Sequence, residues 1–474
     1  MTAPTRTPVT ASPVVPVVPA VPEVDPVRWP DVAAVPRVPV RAAAAGLLLR
    51  RAARQRGLRV ERPDSRLPGD GRPDGHLSDG GLPDAPVTEG PVTDAPVLRL
   101  HRPDAFRHRV GAGGLIGFGE AYQAGDWDAP DLVGLLTALA TAPQTLVPAG
   151  TARLRPLLLR RPPATDLGTV ENAQRNIRRH YDLSNELFGL FLDPTMTYSS
   201  AIFPLGPDGS PQAEWSTLAT AQRRKIDRLL DLAAVGPGSR VLEIGTGWGE
   251  LALRAADRGA TVVSLTLSEE QLALARRRIA DAGHAGAVDV RLCDYRQVRG
   301  QYDAVVSVEM IEAVGQRYWP VYFATLDRVL APGGRVALQS ITMPHERMLA
   351  SAGTYTWIHK YVFPGGQIPS GRALARAAAR HSGLLLADSH GYGPHYAQTL
   401  RLWRERFAER ADEVAALGFD QVFRRTWELY LAYSEAGFRS GYLDVRQLLF
   451  TRPGEVDPRP VPVPVPVPRP GGGA

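Results

Sequence analysis

The sequence predicts a doubly wound α/β fold with a mostly parallel, seven-stranded sheet of the Rossmann-like kind, together with a small N-terminal domain. From about residue 165 onward, short runs of β-branched residues alternate with segments of helical composition, a pattern typical of parallel strands joined by helices. Within that region a strand-like run leads through a glycine-rich turn directly into a helix at residues 241–256. The predicted fold class depends on these two observations.

The composition divides the chain into four parts. The sequence holds 43 prolines and 46 glycines, and much of this excess lies near the two ends. Repeated proline favours extended, unpaired backbone, so residues 1–39 and 454–474 are predicted to be disordered tails. Residues 40–160 are predicted to form the small N-terminal domain, with a flexible insertion at about 63–94. Residues 161–453 are predicted to form the α/β domain.

Two helices are predicted in the N-terminal domain. Residues 41–60 are rich in Ala, Leu and Arg, which favour helix, and four arginines between residues 50 and 56 can lie along one side. This helix is either an ordinary surface helix packed on its own domain or an interfacial helix that contacts anionic lipid. Residues 128–139 have helical spacing with Pro130 in the first turn, where a missing amide hydrogen costs nothing.

The elements of the α/β domain follow in order. Helical stretches at 171–192 and 213–235 precede the strands, and later helices are predicted near 371–382, 396–413 and 418–436. The predicted strands are VLEIG, TVVSLTLS, VDVRLCD, YDAVVSVEMI, GGRVALQSITM and, last, YLDVRQLLFT. The segments between the strands are long enough for crossover helices, which predicts helices on both faces of the sheet.

Charge and cysteine content limit the partners and the compartment. The net charge of +6 favours an acidic partner or reflects an arginine-rich proteome, because Lys225 and Lys360 are the only lysines. A single cysteine, Cys293, excludes an intrachain disulfide and a cysteine-based metal site, and no metal is predicted. The longest apolar runs are far shorter than the roughly 20 residues of a membrane span. The N-terminus lacks the features of a signal peptide, which predicts a cytoplasmic location.

The sharpest motif is VLEIGTGWGELALRAA at residues 241–256. Its strand leads into Gly245, Gly247 and Gly249 and then into a helix, and glycine permits both the tight turn and a close backbone approach to a ligand. The Gly-x-Gly-x-Gly spacing suits S-adenosylmethionine better than a dinucleotide, because a dinucleotide has a pyrophosphate that must bind at the helix N-terminus. The alternative is a structural turn that binds no ligand.

Polar residues follow the next two strands. The second strand ends in LTLSEEQ at residues 265–271, an edge that reaches the ribose in a doubly wound sheet, although Ser268 is also a good helix N-cap. The third strand ends in CDYR at residues 293–296, which offers a place for an adenine amino group. Both positions agree with a ligand that binds outside the carboxyl ends of the strands.

Several separate stretches resemble the cyclopropane fatty acid synthase family, which includes mycolic acid cyclopropane synthases and fatty acyl methyltransferases. They are AYQAGDWDAPDL, NIRRHYDLSNELFGLFLDPTMTYSSAIF, VLEIGTGWGELA, LTLSEEQ, SVEMIEAVG, YTWIHKYVFPGGQIPS and HYAQTLRLW, spread over about residues 95–452. The resemblance implies S-adenosylmethionine as cofactor and a cis-unsaturated acyl chain of a phospholipid as substrate. In the family, methyl transfer to the alkene leaves a carbocation, from which a base removes a proton.

The resemblance also implies two sets of site residues. Those for the cofactor are Tyr198, Ser199, Glu243, Gly245, Thr246, Gly247, Gly249, Thr266, Leu267, Ser268, Gln271, Tyr295 and Arg296. Those for a bicarbonate-like base are Ser200, Glu312, Gln339, Ile341 and Tyr396, and a cysteine position taken as functional in the family falls on Ser434. The structural alternative for Glu312 is a helix-cap carboxylate. Aromatic candidates to stabilise the cation, each with core packing as its alternative, are Tyr198, Tyr355, Trp357, Tyr361 and Tyr396.

Four positions depart from the family pattern. Cyclopropane synthases typically have cysteine at positions 200 and 434 and histidine at positions 313 and 339, whereas this chain has Ser200, Ala313, Gln339 and Ser434. A histidine can carry positive charge and help to hold an anion, whereas glutamine is neutral but still donates hydrogen bonds. The departures therefore predict a weakened or absent anion site. They affect ring closure rather than methyl transfer.

The preferred interpretation is C-methylation of an oleoyl chain in phospholipid at the inner face of the membrane. It gives a 10-methylene product that a separate flavin-dependent reductase saturates to tuberculostearic acid. The segments SVEMIEAVG, VALQSITMPH and WELYLAYSEAGFRSGYLDV resemble this actinobacterial branch of the family. The alternatives are a cyclopropane-fatty-acyl-phospholipid synthase and a non-catalytic, lipid-associated scaffold, against which the retained glycines and Glu312 argue. The sequence shows no interleaved basic and aromatic platform, so no nucleic-acid partner is expected.

Overall fold

A computed structural model describes residues 21–63, 95–141 and 184–454. Most of both predicted tails, almost all of the predicted insertion at 63–94 and the first part of the predicted helix at 171–192 lie outside these ranges. Among the described residues, no helix combines the length and the apolar content that crossing a bilayer requires.

The central sheet has seven strands in the order β6-β5-β4-β7-β8-β10-β9. The strands are β4 Arg240–Ile244, β5 Thr261–Thr266, β6 Val288–Leu292, β7 Tyr302–Val308, β8 Leu330–Thr342, β9 Leu385–Gly391 and β10 Asp444–Thr451. The first five of these pair in parallel, and β10 lies antiparallel between β8 and β9. The predicted mostly parallel, seven-stranded sheet is therefore confirmed.

The strand β9 is the strand of the central sheet that the sequence analysis did not predict. Its residues are all exposed or partly buried because it lies at the edge of the sheet and pairs only with β10. An edge strand needs little apolar patterning, and the run LLADSHG carries three consecutive polar or charged residues, Asp388, Ser389 and His390. Its place in the sheet comes from its pairing with β10 rather than from its own composition.

The described helices mostly follow the predicted ones. In chain order they are Pro30–Ala33, Pro39–Arg56, Pro103–Gly113, Leu115–Gln123, Leu132–Ala140, Asn185–Phe191, Trp215–Leu232, Glu250–Asp257, Glu269–Asp281, Ile311–Val314, Trp319–Val329, His345–Ser351, Trp357–Tyr361, Gly371–His381, Gly393–Glu409, Ala411–Ala416 and Gln421–Arg439. The helix predicted at 396–413 begins earlier and is divided at Arg410, where a second short helix starts.

Hydrophobic clusters cover both faces of the sheet, as a doubly wound fold requires. On one face, Leu242 and Val305 pack with Phe323 of the helix Trp319–Val329. On the other, Val241 and Val306 pack with Leu229 of the helix Trp215–Leu232. Because both faces are covered by helices, the carboxyl ends of the strands are the part of the sheet that remains for a ligand.

The prediction of a disordered tail up to residue 39 is wrong for its later part. Within the described residues from 21 onward, Val32 is 1% exposed and lies in a small cluster with Val422. The indole Nε1 of Trp29 donates a hydrogen bond of 2.7 Å to Asp420 Oδ2. Proline spacing favoured an extended tail, but one buried valine and one anchored tryptophan are sufficient to attach this segment to the protein.

The N-terminal region shares its core with the end of the chain. It contains a small sheet of β1 Arg59–Glu61, β2 Val97–Leu100 and β3 Trp127–Asp128. Gln123 Nε2 donates to Thr426 Oγ1 at 2.7 Å, and Arg425 Nε donates to the Tyr122 carbonyl at 2.7 Å. The predicted boundary near residue 160 lies outside the described residues, and the parts on either side of it belong to one hydrophobic cluster.

Candidate active site

The glycine-rich turn follows β4 and has left-handed backbone at three positions. The φ angles of Gly245, Gly247 and Gly249 are 100°, 52° and 91°, values that L-residues with a Cβ adopt rarely. A Cβ built on Gly249 would lie 3.3 Å from the Cβ of Ala275, whereas a Cβ on Gly247 would meet nothing within 4 Å. Gly249 therefore allows close helix packing, and Gly247 faces open space at the carboxyl end of the sheet.

The predicted ribose edge forms a compact hydrogen-bonded group at the end of β5. Thr266 Oγ1 donates to Gln271 Oε1 at 2.9 Å. Ser268 Oγ accepts from the Gln271 amide at 3.2 Å and so caps the helix Glu269–Asp281. The structure brings Thr266 and Gln271 together beside the partly buried Leu267, and Ser268 has the structural role considered as its alternative.

Glu243 lies beneath the glycine turn rather than on its surface. Its carboxylate accepts a hydrogen bond of 2.5 Å from Ser264 Oγ, which is itself 2.6 Å from Thr246 Oγ1. Only 2% of Glu243 is exposed, and this burial raises its pKa to about 8. The carboxyl group is therefore mostly neutral near pH 7, and it connects β4, β5 and the turn.

The third predicted cofactor edge is arranged differently from expectation. Arg296 donates two hydrogen bonds to Asp294, at 2.8 and 2.6 Å, and its guanidinium lies 5.4 Å from the ring centre of Tyr295. The Tyr295 ring packs in the core, edge-on to Tyr322 at 5.3 Å. The Tyr295 side chain thus belongs to the core.

Two neighbouring residues, Tyr198 and Ser199, are hydrogen-bonded to buried side chains from distant parts of the chain. Tyr198 and Tyr430 share a hydrogen bond of 2.6 Å between their hydroxyl groups. Ser199 Oγ accepts a hydrogen bond of 2.5 Å from Lys225 Nζ. Lys225 is fully buried, and burial lowers its pKa to about 8 although the negative charges of Glu309 and Asp193 oppose that shift.

The carboxylate of Glu309 is the meeting point of three segments of the chain. Glu309 Oε1 accepts hydrogen bonds from the Ser200 amide at 3.0 Å and from Gln339 Nε2 at 2.9 Å. Glu309 Oε2 accepts one of 2.7 Å from the Tyr396 hydroxyl. Burial raises the pKa of Glu309, and the positive charge of Lys225 counteracts this effect. Glu309 has a φ of 49°, an uncommon backbone conformation for glutamate.

Glu312 lies one helical turn further and has a different environment. Its Oε1 accepts from Ser340 Oγ at 2.9 Å and from the Ile341 amide at 2.5 Å. Its Oε2 has no hydrogen-bond partner within the described ranges. Burial, followed by the negative charge of Glu309, raises the pKa of Glu312 to about 8. Glu312 is therefore mainly neutral near pH 7, and its unpaired Oε2 is buried.

Comparisons with known proteins agree with this geometry. Residues 169–448 match the family described as mycolic acid cyclopropane synthetase. The chain belongs to this family. It is 54% identical to the tuberculostearic acid methyltransferase of Mycobacterium tuberculosis, over 91% of the chain and 97% of that relative. It is 33% identical to the cyclopropane-fatty-acyl-phospholipid synthase of Escherichia coli, over 75% of the chain and 87% of that relative.

Solved structures of the mycolic acid cyclopropane synthetase family share the fold. A cyclopropane synthase from Mycobacterium tuberculosis aligns with a TM-score of 0.53 at 33% identity, over 58% of this chain and 97% of that one. A second mycolic acid cyclopropane synthase, complexed with S-adenosylhomocysteine, aligns with a TM-score of 0.53 at 32% identity. The protein is an S-adenosylmethionine-dependent methyltransferase of lipids, as the sequence predicted.

The predicted bicarbonate does not fit the site of this family member. The donors assigned to it, at Ser200, Gln339 and Tyr396, all donate to the carboxylate of Glu309. The Ile341 amide donates to Glu312. With its donors engaged by protein carboxyl groups, the site offers little compensation for the charge of a further anion. The prediction assigned the donors without recognising the acceptor within the chain.

The remaining predicted residues are divided between the site and the core. Ser434 lies partly buried on the helix Gln421–Arg439, and no hydrogen bond described here joins it to Glu309 or Glu312. Trp357 Nε1 donates to Gln123 Oε1 at 2.9 Å and Tyr361 donates to Glu120 Oε1 at 3.0 Å. These two aromatic residues therefore attach the N-terminal region, and Tyr355 stacks against His359.

Three residues of the site were missed by sequence reasoning: Glu309, Lys225 and Tyr430. Glu309 directly follows β7, where a charged residue at the carboxyl end of a parallel strand is a sign of function. Lys225 is one of two lysines in an arginine-rich chain, and that rarity was a usable signal. Tyr430 had no local signal, because its role depends on contact with Tyr198 across the fold.

Proposed function

We propose that this protein methylates carbon 10 of an oleoyl chain in a phospholipid and forms a 10-methylene product. The observation that carries the proposal is the difference in similarity between two relatives. The chain is 54% identical to a tuberculostearic acid methyltransferase over 91% of its length, but 33% identical to a cyclopropane-fatty-acyl-phospholipid synthase over 75%. The near-uniform coverage of the first relative includes the N-terminal region, which packs against the site-bearing helices.

The cofactor is assigned to the carboxyl ends of β4 and β5. The open space beside Gly247 and the polar pair Thr266 and Gln271 fit a ligand with a sugar hydroxyl group and no pyrophosphate. S-adenosylmethionine, when bound, supplies an electrophilic methyl group to the alkene.

Aromatic rings surround the carboxylate pair and suit a cationic acyl chain. Tyr396 lies 4.5 Å from the ring of Phe438 and donates to Glu309. Tyr430 lies 5.6 Å from Phe363 and shares its hydrogen bond with Tyr198. Ring faces attract positive charge at roughly 0.5 to 2 kcal/mol each, most strongly away from water. We assign to these rings, with the carboxylates, the stabilisation of charge on the methylated chain.

The product depends on which proton the methylated chain loses. Addition of a methyl group to one alkene carbon leaves the neighbouring carbon cationic. A hydride shift moves the charge to the branched carbon, and loss of a proton from the branch methyl then forms the exocyclic methylene. Loss of a methyl proton without that shift closes a cyclopropane ring. Glu312 and Tyr396, retained from the cyclopropane synthase pattern, favour this second product as the alternative.

The product can be identified directly. Purified protein is incubated with methyl-labelled S-adenosylmethionine and vesicles of dioleoyl phosphatidylglycerol, and the acyl chains are analysed by mass spectrometry that locates double bonds and rings. We expect a 10-methylene octadecanoyl chain. A cyclopropane chain as the sole product contradicts the proposal, and absence of any label in lipid contradicts both alternatives and leaves the scaffold. A reductase is expected to be needed for saturation, so 10-methyl product from the isolated protein also contradicts the proposal.

The helix Pro39–Arg56 is proposed to contact the membrane peripherally. Its small residues pack on the protein, whereas Leu47 is 60% exposed and Leu48 is 44% exposed. The helix contains five arginines and no acidic residue, a composition that suits anionic lipid at roughly 1 kcal/mol per arginine near the surface. We therefore propose that this helix packs on its own domain with one side and contacts anionic lipid with the other.

Liposome sedimentation tests this membrane contact. Binding to anionic vesicles is expected to fall with salt and to weaken several-fold in the double variant Arg50→Gln and Arg54→Gln. The matched control replaces the exposed arginines Arg372 and Arg376 of the helix Gly371–His381 and is expected to bind normally. Equal binding to neutral and anionic vesicles contradicts the electrostatic contact.

A further inference from the structure

We propose that Glu309 is the catalytic base of this protein and replaces the exchangeable bicarbonate that the family resemblance implied. The inference rests on the proposed function, because it concerns the proton that the methylated acyl chain loses. It goes beyond the family resemblance, which implied Glu312 and a bound anion but did not include Glu309.

The first argument is the position of the Glu309 carboxylate. Three donors converge on it from separate parts of the chain: the Ser200 amide, the Gln339 side chain and the Tyr396 hydroxyl, at 3.0, 2.9 and 2.7 Å. A bicarbonate ion and a carboxylate present the same pair of negatively charged oxygens to such donors. The chain therefore carries its own oxyanion in the place where a small anion was expected.

The second argument is the accessibility of one oxygen. Oε1 of Glu309 accepts two hydrogen bonds, whereas Oε2 accepts one, from Tyr396. A carboxylate oxygen has two acceptor positions, so Oε2 retains one for a proton from the substrate. Ser200 and Gln339 are 1% and 3% exposed, but Glu309 itself remains partly exposed. The donors are thus enclosed, and they leave one acceptor position of the Glu309 carboxylate unused.

The third argument is the backbone of Glu309. Its φ of 49° lies in the left-handed region, where a side chain of this kind costs on the order of 1 kcal/mol. Such conformations persist where the surroundings hold them, and they are concentrated at functional sites. Here the conformation directs the carboxylate of Glu309, located immediately after β7, onto the donors from Ser200, Gln339 and Tyr396.

The charge of the surroundings suits a base. Removal from water raises the pKa of Glu309 and so increases its affinity for a proton. The positive charge of Lys225 opposes this rise and favours the ionised form that a base requires. Glu312 has a pKa raised to about 8 and so adds little negative charge beside Glu309 near pH 7.

The proton transfer is balanced as follows. A C–H bond of the branch methyl breaks, its electron pair forms the double bond to the cationic carbon, and the proton moves to Glu309 Oε2. The acyl chain becomes neutral and the carboxylate becomes a carboxylic acid. Water takes this proton after the product leaves, which restores the ionised base.

Two variants of Glu309 and an assay without bicarbonate test the proposal. Wild-type protein is assayed with oleoyl phospholipid vesicles in carbon dioxide-free buffer, with and without sodium bicarbonate, and equal rates are expected. Glu309→Gln is expected to fold and to bind S-adenosylmethionine with an affinity within about threefold of wild type. Its turnover is expected to fall at least about 100-fold, the usual contribution of a general base. Glu346→Gln, the same change at an exposed surface position, is the matched control and is expected to retain normal turnover.

Glu309→Gly provides chemical rescue. Glycine tolerates the left-handed backbone and removes the carboxylate, which frees the donors for an added anion. We expect an inactive variant whose turnover is partly restored by bicarbonate or acetate, an effect that a merely structural role does not produce. The proposal is overturned by wild-type turnover that requires bicarbonate, by near-normal turnover of Glu309→Gln, or by an inactive Glu309→Gly that neither anion restores.

These outcomes are separable from those of the proposed function. A wild-type protein that forms a cyclopropane overturns the methylene proposal, but ring closure also needs a base and the Glu309 variants still decide its identity. Conversely, a methylene product from Glu309→Gln at a normal rate leaves the proposed function intact and overturns the assignment of Glu309.

Discussion

The turn after β4 and the loop after β7 occupy the ends of two adjacent parallel strands, and both require left-handed backbone. In the first, glycine meets this requirement, at Gly245, Gly247 and Gly249. In the second, Glu309 meets it with a φ of 49°. The comparison teaches that the same backbone demand can serve two purposes. The glycine turn removes side chains so that a ligand can approach the backbone, whereas the loop accepts strain to place a carboxylate.

The largest expected effect on cofactor binding comes from a side chain added to the glycine turn. Gly247→Val combines an unfavourable left-handed φ with a branched group in the open space beside the turn. We expect loss of S-adenosylmethionine binding by more than about 100-fold, equivalent to roughly 3 kcal/mol, measured by calorimetry. The control Gly286→Val lies at an exposed position that is not left-handed and is expected to bind normally. Wild-type affinity for S-adenosylmethionine in Gly247→Val would contradict the assigned cofactor site.

The second effect concerns the carboxylate that follows Glu309. Glu312→Gln is expected to bind cofactor normally and to lose turnover by about 100- to 1000-fold, or roughly 3 to 4 kcal/mol of electrostatic stabilisation. The reason is that Oε2 of Glu312 has no hydrogen-bond partner among the described residues and that Glu312 lies close enough to Glu309 for their charges to interact. Steady-state kinetics with oleoyl phospholipid measure the change. Turnover close to wild type would assign Glu312 to a structural role and leave Glu309 as the functional carboxylate of this loop.

The third effect is a pH dependence of stability that arises beneath the glycine turn. Because burial raises the pKa of Glu243 from the ordinary value of 4.5 to about 8, the folded protein holds a proton that the unfolded chain has lost between these values. Stability from this group is therefore present below about pH 4.5 and is lost as pH rises through 8.

Chemical denaturation at pH 5.5 and 8.5 measures this dependence. Glutamine in Glu243→Gln can still accept the hydrogen bond from Ser264 but does not titrate. The decrease in unfolding free energy from pH 5.5 to pH 8.5 is therefore expected to be smaller in this variant than in wild type, by on the order of 2 kcal/mol. This is less than the full pKa shift of Glu243 corresponds to, because buried sites relax when they become charged. The exposed control Glu346→Gln should leave the dependence unchanged. An unchanged slope in Glu243→Gln would mean that Glu243 is ionised in the folded protein.

The smallest effect sharpens the description of the loop. Lys225→Met removes the positive charge that opposes the rise in the pKa of Glu309. If Glu309 is the base, activity increases as it ionises, so the acidic limb of kcat/KM is expected to move to higher pH by about one unit. The other lysine, Lys360, pairs with Glu120 and Asp31 in the N-terminal region, and Lys360→Met is expected to leave the profile unchanged. If the acidic limb of kcat/KM stays at the same pH in Lys225→Met, the charge of Lys225 does not influence the pKa of the base.

Much of the fold was predictable because its signals are local. The strands β4 to β8 and β10 are apolar runs bounded by turns, and the predicted helices at 371–382 and 418–436 agree with the observed ones to within a few residues. The edge strand β9 was missed because only one neighbour pairs with it. The attachment of residues 21–39 was missed because it depends on two side chains, Trp29 and Val32, within a proline-rich segment.

The candidate site divides in the same way. The glycine turn and the pair Thr266 and Gln271 lie within short segments whose residue types already indicate a ligand at the end of a strand. The carboxylate arrangement has no such local signal, because Ser200, Gln339 and Tyr396 are 109, 30 and 87 residues away from Glu309. The four departures noted in the sequence predicted a weakened anion site, but they gave no sign of the Glu309 carboxylate that accepts from these donors.

The sequence by itself therefore determined the fold class and the family of this protein, since both follow from periodicity and residue types within continuous segments. Only the tertiary structure decided which acceptor the site donors bind and which carboxyl groups are mostly neutral near pH 7. The physical reason is that hydrogen bonding and pKa depend on distance and on removal from water, and both are set by segments that meet only after folding. Glu309 and Glu312 are the same residue type three positions apart, and their surroundings alone give them different hydrogen-bond donors and place the positive charge of Lys225 beside Glu309.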